Sequence, residues 1–366
     1  MPHLSPIAER ADAPASLPEI AVGDFAWRPA TVDDAEAIAE LDNAMAEADG
    51  LPFRETVAEA RDTLSQPWRD LTTDSLVGFD AEGRLRASGL LVSFPGDTTT
   101  VRVFAFGGVH PSRRREGIGS ALLAWQLARA RQMLAGSGKD LPGRIAAYAE
   151  DTDLARQRLY ERAGLEARRF FADLKRPLGA DAPPIPRVEP TGSLRVVPWS
   201  PELDDAARLA HNDAFRDHWG SEPQTSEQWQ GGRSEFAPEW SHVVIDEAPD
   251  VDALLADETT DASTADALRA GAPLVVAYAL NSRYEADFPV RGYSFGYTDV
   301  LGARRAYRGR RAAVAALAAS MRSFAGAGIE AAVLDVDTEN PSGAHGLYAS
   351  LGYTKEHGSR MHSIEL

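Results

Sequence analysis

The feature that most constrains this chain is an internal repeat. Three segments recur in the same order along the sequence, and each pair shares a short pattern of residues. The pairs are WRPATVDDAEAIAELDNA at 27–44 with VVPWSPELDDAARLAHNDA at 196–214, SRRREGIGSALL at 112–123 with AYRGRRAAVAAL at 306–317, and LYERAGL at 159–165 with LYASLGY at 347–353. Self-similarity of this kind indicates that one structural unit occurs twice. The length of 366 residues also fits two domains of ordinary size.

A proline-rich stretch separates the two copies. Residues 179–193, GADAPPIPRVEPTGS, contain four prolines and two glycines, and such a stretch continues neither a helix nor a central strand. We therefore predict an N-terminal tail at 1–24, a first domain at 25–178, a linker at 179–193 and a second domain at 194–366.

The second copy is longer than the first before its arginine-rich turn. The spacing between the first and second repeated segments is 23 residues greater there. Residues 247–270 contain seven acidic residues and one arginine, a composition typical of a solvated, mobile surface segment. We predict that 247–270 is a surface insertion.

Each copy has the same predicted order of elements. A strand and an amphipathic helix come first, then two strands, a longer strand that ends in a glycine- and arginine-rich turn, a helix, a strand, another helix and closing strands. This order predicts a mixed α/β or α+β fold in which each copy is a central mixed sheet flanked by helices. The predicted strands are 75–80, 85–94, 101–109 and 144–150 in the first copy and 242–245, 274–283, 293–302 and 331–337 in the second.

The composition narrows the class of function. The chain has 38 Lys plus Arg against 55 Asp plus Glu, a formal net charge of −17. This excess disfavours nucleic-acid binding and adhesion to anionic membranes, and it suits a cationic substrate. The absence of cysteine excludes disulfides, thiolate catalysis and cysteine-ligated metal sites. We expect no metal site, because His211 and His218 have no third ligand at metal spacing.

The sequence also bears on location. No stretch is apolar enough to cross a bilayer, and residues 1–24 lack the apolar core of a signal peptide. We expect a cytoplasmic protein that is a monomer or a homodimer.

The most informative motif is VHPSRRREGIG at 109–119, set between a predicted strand and a predicted helix. Such a turn exposes backbone N–H groups at the positive end of a helix dipole, and glycines let an anion approach closely. The pattern is neither a P-loop nor a dinucleotide-binding fingerprint. It predicts a site for a pyrophosphate, and the alternative is an arginine-rich surface turn.

Two copies of this turn, each followed some forty residues later by a Leu-Tyr helix, resemble the GNAT N-acetyltransferase superfamily. The tandem layout resembles the two-domain acetyltransferases that include mycothiol synthase. The resemblance implies two splayed sheets and acetyl-CoA as the cofactor, with its pyrophosphate on the turn. The residues implied are Val109, Arg114, Arg115, Glu116, Gly117, Ile118, Gly119 and Ser120, and in the second copy Ala303, Arg308, Gly309, Arg310, Arg311, Ala312 and Ala313, with Arg311 where the family usually has glycine.

The resemblance also implies catalytic residues. Tyr160 and Tyr348, the tyrosines of the Leu-Tyr pairs, would donate a proton to the departing thiolate, and the alternative is that each packs under its helix. Asp299, four residues before Ala303, is a candidate base or a structural carboxylate, and Ala105 stands at the matching place of the first copy. Asn340 would contact the cofactor arm, where the first copy offers only Thr152 or Asp153.

The two copies therefore divide the signature between them. The first copy has the better phosphate turn and the second has the better acid and base, so we predict catalysis in the second copy. The first would hold acetyl-CoA or only support the fold. A competing prediction places catalysis in the first copy, with the carboxylate of Leu366 as base.

Other candidate residues lie in and just after the first predicted helix of the second copy. His218 and Trp219 are predicted to bind the acceptor amine, together with His211 and Asn212, because this region lines the acceptor pocket in the superfamily and aromatic rings hold amines. The alternative is that these residues pack against the fold or cap the end of the helix. We expect His357 and His362 at the surface.

The combined prediction is an acetyl-CoA-dependent N-acetyltransferase. It would move an acetyl group directly to a primary amine of a small, cationic molecule. The alternative functions are a non-catalytic acetyl-CoA-binding sensor and a structural pseudo-acetyltransferase.

Overall fold

The computed structural model describes residues 5–179, 181–339 and 344–366. Its strands are β1 Ala26–Arg28, β2 Ser75–Phe79, β3 Leu85–Ser93, β4 Val101–Val109, β5 Gly143–Glu150, β6 Glu166–Pro177, β7 Leu194–Pro198, β8 His242–Asp246, β9 Leu274–Ser282, β10 Phe295–Ala303, β11 Ala331–Asp337 and β12 Thr354–Glu365. Its α-helices are α1 Ile7–Arg10, α2 Ala35–Asp49, α3 Val57–Leu64, α4 Leu71–Asp74, α5 Ile118–Gly136, α6 Leu154–Arg162, α7 Pro201–Ala214, α8 Ser226–Gln230, α9 Val251–Ala256, α10 Ala262–Arg269, α11 Phe288–Arg291, α12 Ala312–Gly326 and α13 Ala344–Ser350.

The predicted elements are confirmed with small shifts of their ends. All eight predicted strands are present, and β4 and β11 have the predicted bounds. The largest shift is in β10, which begins at Phe295 rather than at Tyr293. The mixed α/β fold is confirmed in both copies.

The chain forms two compact units, and neither is a single stretch of sequence. The first unit contains the residues up to Phe171, Asp337–Glu339 and His357–Leu366. The second contains Ala172–Val336 and the described residues from 344 to 356. Each unit therefore includes a strand segment that follows the Leu-Tyr helix of the other copy.

The sheet of the first unit has the strand order β1-β2-β3-β4-β5-β12. Strands β4 and β5 are parallel, and Ser359–Glu365 of β12 pairs antiparallel with β5. Helices cover both faces: Leu122 of α5 lies against Gly89, and Met45 of α2 lies against Gly108. Alternate residues of paired strands point to opposite faces, so the two helices are on opposite sides of the sheet.

The second unit repeats this plan with the strand order β7-β8-β9-β10-β11-β6. Strands β10 and β11 are parallel, and β9 pairs antiparallel with β10. Helix α12 packs on Ala277 and Ala279, whereas α7 packs on Tyr278 from the other face. Both units are thus sheets with a helix layer on each face.

Three segments outside the repeated elements are ordered and pack on a unit. The acidic segment 247–270 forms α9 and α10, and its leucines join the core around β9, because their side chains lie on one side of short helices. Val188 of the predicted linker is buried in the second unit. Ile7 of the predicted tail is buried in the first unit.

No helix within the described ranges is long and apolar enough to cross a membrane.

Candidate functional site

The glycine- and arginine-rich turn of the first unit joins β4 to α5. A single 3₁₀ turn at Pro111–Arg113 follows His110, and α5 begins at Ile118. Arg115 and Gly117 are left-handed, with φ of 70° and 84°. Left-handed geometry suits glycine and strains arginine.

The turn of the second unit has the same conformation. A 3₁₀ turn at Arg305–Tyr307 follows Arg304, and α12 begins at Ala312. The left-handed residues are Gly309 at φ 79° and Arg311 at φ 61°. Each turn therefore has one glycine and one arginine at its two left-handed positions, in opposite order.

Both turns fit a pyrophosphate. The residues before the helices, Gly117 and Arg311, give no side-chain cap, so the first N–H groups of α5 and α12 keep their donor capacity. Ile118 and Ala312, the first residues of these helices, are buried beneath the turns. Backbone donors at a helix N-terminus are a favourable anion site.

Most arginines of the turns are held by the protein. Arg114 pairs with Asp49 at 2.5 Å, Arg113 pairs with Asp24 and Glu116, and Arg308 donates to the Ala214 carbonyl at 2.8 Å. Arg115 and Arg311 are exposed, and neither has an ion pair in the described chain. These two side chains remain to contact a bound anion, together with the exposed Ser120 and the exposed Arg310, whose guanidinium lies over the Tyr307 ring.

The strand leading into each turn separates from its parallel neighbour. Strand β4 pairs with β5 only from Val101 to Phe104, and β10 pairs with β11 only from Phe295 to Thr298. The last residues of β4 and β10, including Val109 and Ala303, therefore border a gap in each sheet. The predicted splayed sheets are confirmed.

Asp299 lies in a β-bulge at this gap. The register between β9 and β10 shifts between Thr298 and Val300, so Asp299 has no partner residue in β9. Its Oδ1 accepts a hydrogen bond from the Tyr284 hydroxyl at 2.9 Å. Asp299 is exposed, yet desolvation by the surrounding protein raises its pKa to about 6, although hydrogen bonds from Ser282 and Tyr284 oppose the rise.

Tyr348 lies on α13 in the core of the second unit. Its side chain is 8% exposed, and its ring meets that of Tyr353 at 5.8 Å. Burial raises the pKa of its hydroxyl to about 12. No hydrogen bond joins Tyr348 to Asp299 in the described residues. Asn340, the predicted contact to the cofactor arm, lies outside them.

Tyr160 has more polar surroundings than Tyr348. The Arg156 guanidinium lies 3.5 Å from its hydroxyl, and the same guanidinium donates to the Gly107 carbonyl at 3.1 Å and to Asp153 at 3.0 Å. The Tyr160 ring also meets the His362 ring at 5.5 Å.

The expectation that His362 is at the surface is wrong. His362 is 0% exposed and neither ring nitrogen has a hydrogen-bond partner in the described residues. The reason is its place on β12, which lies beside β5 in the first unit, opposite Ala147.

The first unit contains a carboxyl pair that sequence reasoning missed. The side chains of Asp42 and Glu55 share a hydrogen bond, and burial raises the pKa of both, that of Glu55 to about 9. Asn43 holds Glu55 in place through both of its backbone polar groups. In the second unit Asn212 holds Gln224 in the same way, twelve residues away. The twelve-residue spacing that Asn43–Glu55 shares with Asn212–Gln224 was the sequence signal for this contact.

The predicted acceptor residues divide into two kinds. His211 is buried and hydrogen-bonds the Tyr278 hydroxyl at 2.9 Å, so it belongs to the core, and Asn212 anchors a loop. His218 bonds the Trp219 carbonyl at 3.0 Å and is partly exposed. Of the four, only His218 and Trp219 remain candidates for contact with a substrate.

The competing base, the carboxylate of Leu366, lies far from the turn. The N–H and carbonyl of Leu366 pair with Gly143, at the first residue of β5. Gly143 lies beside Val101, and the eight residue steps from Val101 to Val109 span about 26 Å at the usual rise of a strand, so Leu366 lies about that far from the turn. A carboxylate there does not reach the gap at the other end.

No group of side chains that could hold a metal ion is found in the parts of the chain that the structure describes.

Comparison with known proteins gives matches in structure and none in sequence. No protein-family model matches the chain, and no curated protein matches it. A GCN5-related N-acetyltransferase from Sphaerobacter thermophilus is 24% identical, with a TM-score of 0.62 over 94% of this chain and 96% of that one. A tandem GNAT protein from the clavulanic acid biosynthesis pathway is 16% identical, with a TM-score of 0.62 over 93% of this chain and 98% of that one.

A third match extends over the whole chain. The N-myristoyltransferase of Saccharomyces cerevisiae, solved with bound myristoyl-CoA, is 12% identical, with a TM-score of 0.59 over 100% of this chain and 84% of that one. At these identities the likeness concerns the fold. The chain has the GNAT N-acetyltransferase fold in tandem over nearly its whole length.

Proposed function

We propose that this protein is an acetyl-CoA-dependent N-acetyltransferase acting on a primary amine of a small, cationic molecule. The observation that carries the proposal is the pair of turns with matching left-handed residues, each leading into a helix without a side-chain cap. Such a turn beside a gap in the sheet suits a pyrophosphate followed by an extended arm.

We place catalysis in the second unit, with Asp299 as base and Tyr348 as acid. Acetyl-CoA supplies a thioester, an acyl group already activated for transfer. Asp299 accepts one proton from the substrate ammonium, which frees the lone pair that forms the new C–N bond. As the C–S bond breaks, the Tyr348 hydroxyl donates its proton to the departing sulfur, and the second proton that the new amide nitrogen loses returns to the tyrosine.

The electrostatics of Asp299 support this assignment. An amine has a pKa of about 10, so a base must take a proton while it stays largely ionised at neutral pH. A carboxyl group with a pKa of about 6 meets both conditions better than one at the ordinary value. The acidic net charge of −17 favours the approach of a cationic acceptor.

The alternative proposal is a non-catalytic acetyl-CoA-binding sensor or a structural pseudo-acetyltransferase. The absence of a hydrogen bond between Tyr348 and Asp299 in the described residues favours it, because the two groups are not preassembled. A sensor would bind CoA without turnover, and a structural protein would not bind CoA.

An acetylation screen over a panel of amines tests the proposal. We expect turnover on at least one small cationic amine and a loss of about 10²- to 10⁴-fold in kcat/KM for Asp299→Asn. Asp205→Asn, an exposed carboxylate on α7, is the control and should leave the rate unchanged. Tight CoA binding without turnover on any amine would instead support the sensor.

A further inference from the structure

We propose that Tyr284 is a positioning residue for Asp299: its hydroxyl holds one carboxylate oxygen and so orients the carboxylate towards the substrate ammonium. The inference rests on the proposed function, because it concerns the base assigned there. It starts from a single hydrogen bond, Tyr284 Oη to Asp299 Oδ1 at 2.9 Å.

The bulge makes such a partner necessary. Residues in a bulge are left out of the ladder, so their side chains are less constrained than those in regular pairs. Asp299 is the extra residue between Thr298 and Val300. A carboxylate that takes a proton must be held within hydrogen-bond reach of it, and a fixed donor on one oxygen supplies that restraint.

Tyr284 is itself well anchored. Its ring packs on the apolar cluster of Phe295 and Val333, and it meets the Tyr297 ring edge to face at 5.5 Å. A rigid ring carries its hydroxyl to a defined place at little cost in conformational entropy.

The first unit shows that packing alone does not require these hydroxyls. By strand pairing, Phe94 and Phe104 occupy the places of Tyr284 and Tyr297. Their rings meet edge to face at 6.0 Å, as the tyrosines do. That unit has no bulge and no carboxylate in β4, and it has phenylalanine in both places. The tyrosine hydroxyl is therefore present in the unit that has the β10 carboxylate and absent from the unit that lacks one.

The hydrogen bond also sets the acidity of Asp299. A donor to the charged carboxylate favours ionisation, so it opposes the rise in pKa that desolvation causes. The other titratable groups nearby are Tyr297 on β10, Asp335 on β11, and Asp173 on β6, which pairs with Arg291 at 2.9 Å. None of them donates to Asp299 in the described residues, so Tyr284 and Ser282 supply the side-chain donors.

Tyr284→Phe tests the proposal, and Tyr293→Phe is its matched control. Both variants remove one tyrosine hydroxyl bonded to a carboxylate of the second unit, since Tyr293 bonds Glu356. The first unit shows that phenylalanine fits the packing. We would follow the Asp299 carboxyl by carbon NMR, assigned with Asp299→Asn, and measure kcat/KM from pH 5 to 9.

We expect the Asp299 pKa to rise by about 0.5 to 1 unit in Tyr284→Phe and to stay fixed in Tyr293→Phe. The acid limb of kcat/KM should move to higher pH by the same amount, so the rate at pH 6 falls about two- to fivefold. The alkaline plateau should fall less.

Two results would overturn the proposal in different ways. An unchanged Asp299 pKa in Tyr284→Phe would show that the hydroxyl does not act on the carboxyl group. A shifted pKa together with full activity of Asp299→Asn would show instead that Asp299 is not the base, so the proposed function would lose its acid-base assignment.

Discussion

The first and second units share their turn and differ in what surrounds it. The first unit places Arg156 beside Tyr160 and has a regular β4. The second has Tyr348 in an apolar core and a carboxylate on a bulge in β10. The same fold thus provides a turn of the same conformation in both units, whereas the proposed acid and base depend on a few side chains that the fold does not require.

A second difference lies beneath the first helix of each unit. Asn43 and Asn212 play the same role, but the residues around them are Asp42 and Glu55 in one unit and His211 and Gln224 in the other. In the second unit the large ring of Tyr278 lies at this position on β9. Strand pairing puts the small Ser88 at the matching position on β3 of the first unit. This comparison predicts different chemistry and opposite responses to pH.

The largest expected effect separates the two tyrosines. Tyr348→Phe should lower kcat by about 10²- to 10³-fold, because it removes the proposed acid. Tyr160→Phe, the equivalent change in the first unit, should change kcat less than about threefold on the same scale. Steady-state kinetics on the best amine checks both. Equal losses would contradict the assignment of one working unit.

Acid should weaken the second unit through His211. Burial, with a smaller contribution from His218, lowers its pKa to about 4 in the folded protein, against about 6.5 when unfolded. The neutral ring therefore contributes fully above pH 6.5, and this contribution is lost as the pH falls towards 4. The loss is about 3 kcal/mol at most.

Hydrogen exchange resolved along the chain would measure this loss. Between pH 6.5 and 4.5, α7 and β9 should lose protection beyond the intrinsic effect of pH, and His211→Gln should remove much of the change. If the His211→Gln variant lost as much protection between pH 6.5 and 4.5 as the unchanged protein does, the role of this histidine would be contradicted.

The carboxyl pair should give the first unit the opposite response. The folded-state pKa of Glu55 is raised from 4.5 to about 9, so its contribution is present at low pH and is lost as the pH rises through that range. Asp42→Asn keeps a hydrogen-bonding group and removes one acid. Compared with the unchanged protein, the Asp42→Asn variant should have an α2 that is more stable, and this gain should be about 1 kcal/mol larger at pH 8 than at pH 5. Thermal unfolding at the two pH values checks the sign.

The smallest effect concerns the left-handed positions of the turns. Arg311→Gly should stabilise the second unit by about 1 kcal/mol, because a left-handed arginine is strained. Gly117→Arg should destabilise the first unit by a similar amount, about 1 kcal/mol. Chemical denaturation measures both, and effects of the same sign would contradict the equivalence of the two turns.

Several features of the fold followed directly from the sequence. The repeat, the strands and the turns were found because apolar periodicity and glycine patterns are local. The burial of His362 was missed because it depends on β12 joining the first unit, a long-range pairing that no local pattern records.

Aligning the two copies by residue number is also misleading where β10 contains its bulge. By counting back from the turn, Ala105 matches Asp299, but the bulge adds one residue, so the strand register matches Ala105 with Thr298. In the repeated segments 27–44 and 196–214, Asp33-Asp34-Ala35 aligns with Asp204-Asp205-Ala206 at an offset of 171, whereas Asn43 and Asn212 correspond at an offset of 169. Hydrogen bonds reveal such shifts, and short motifs do not.

The most direct test of the central claim uses the matched pair Gly119→Asp and Ala313→Asp. Both positions follow the first residue of their helix, where an aspartate suits the helix dipole but repels a pyrophosphate. Calorimetry would count CoA sites, and an acetylation assay would follow turnover. We predict that each variant loses one CoA site and that only Ala313→Asp loses turnover. Loss of turnover in Gly119→Asp, with Ala313→Asp still active, would place catalysis in the first unit and contradict the account.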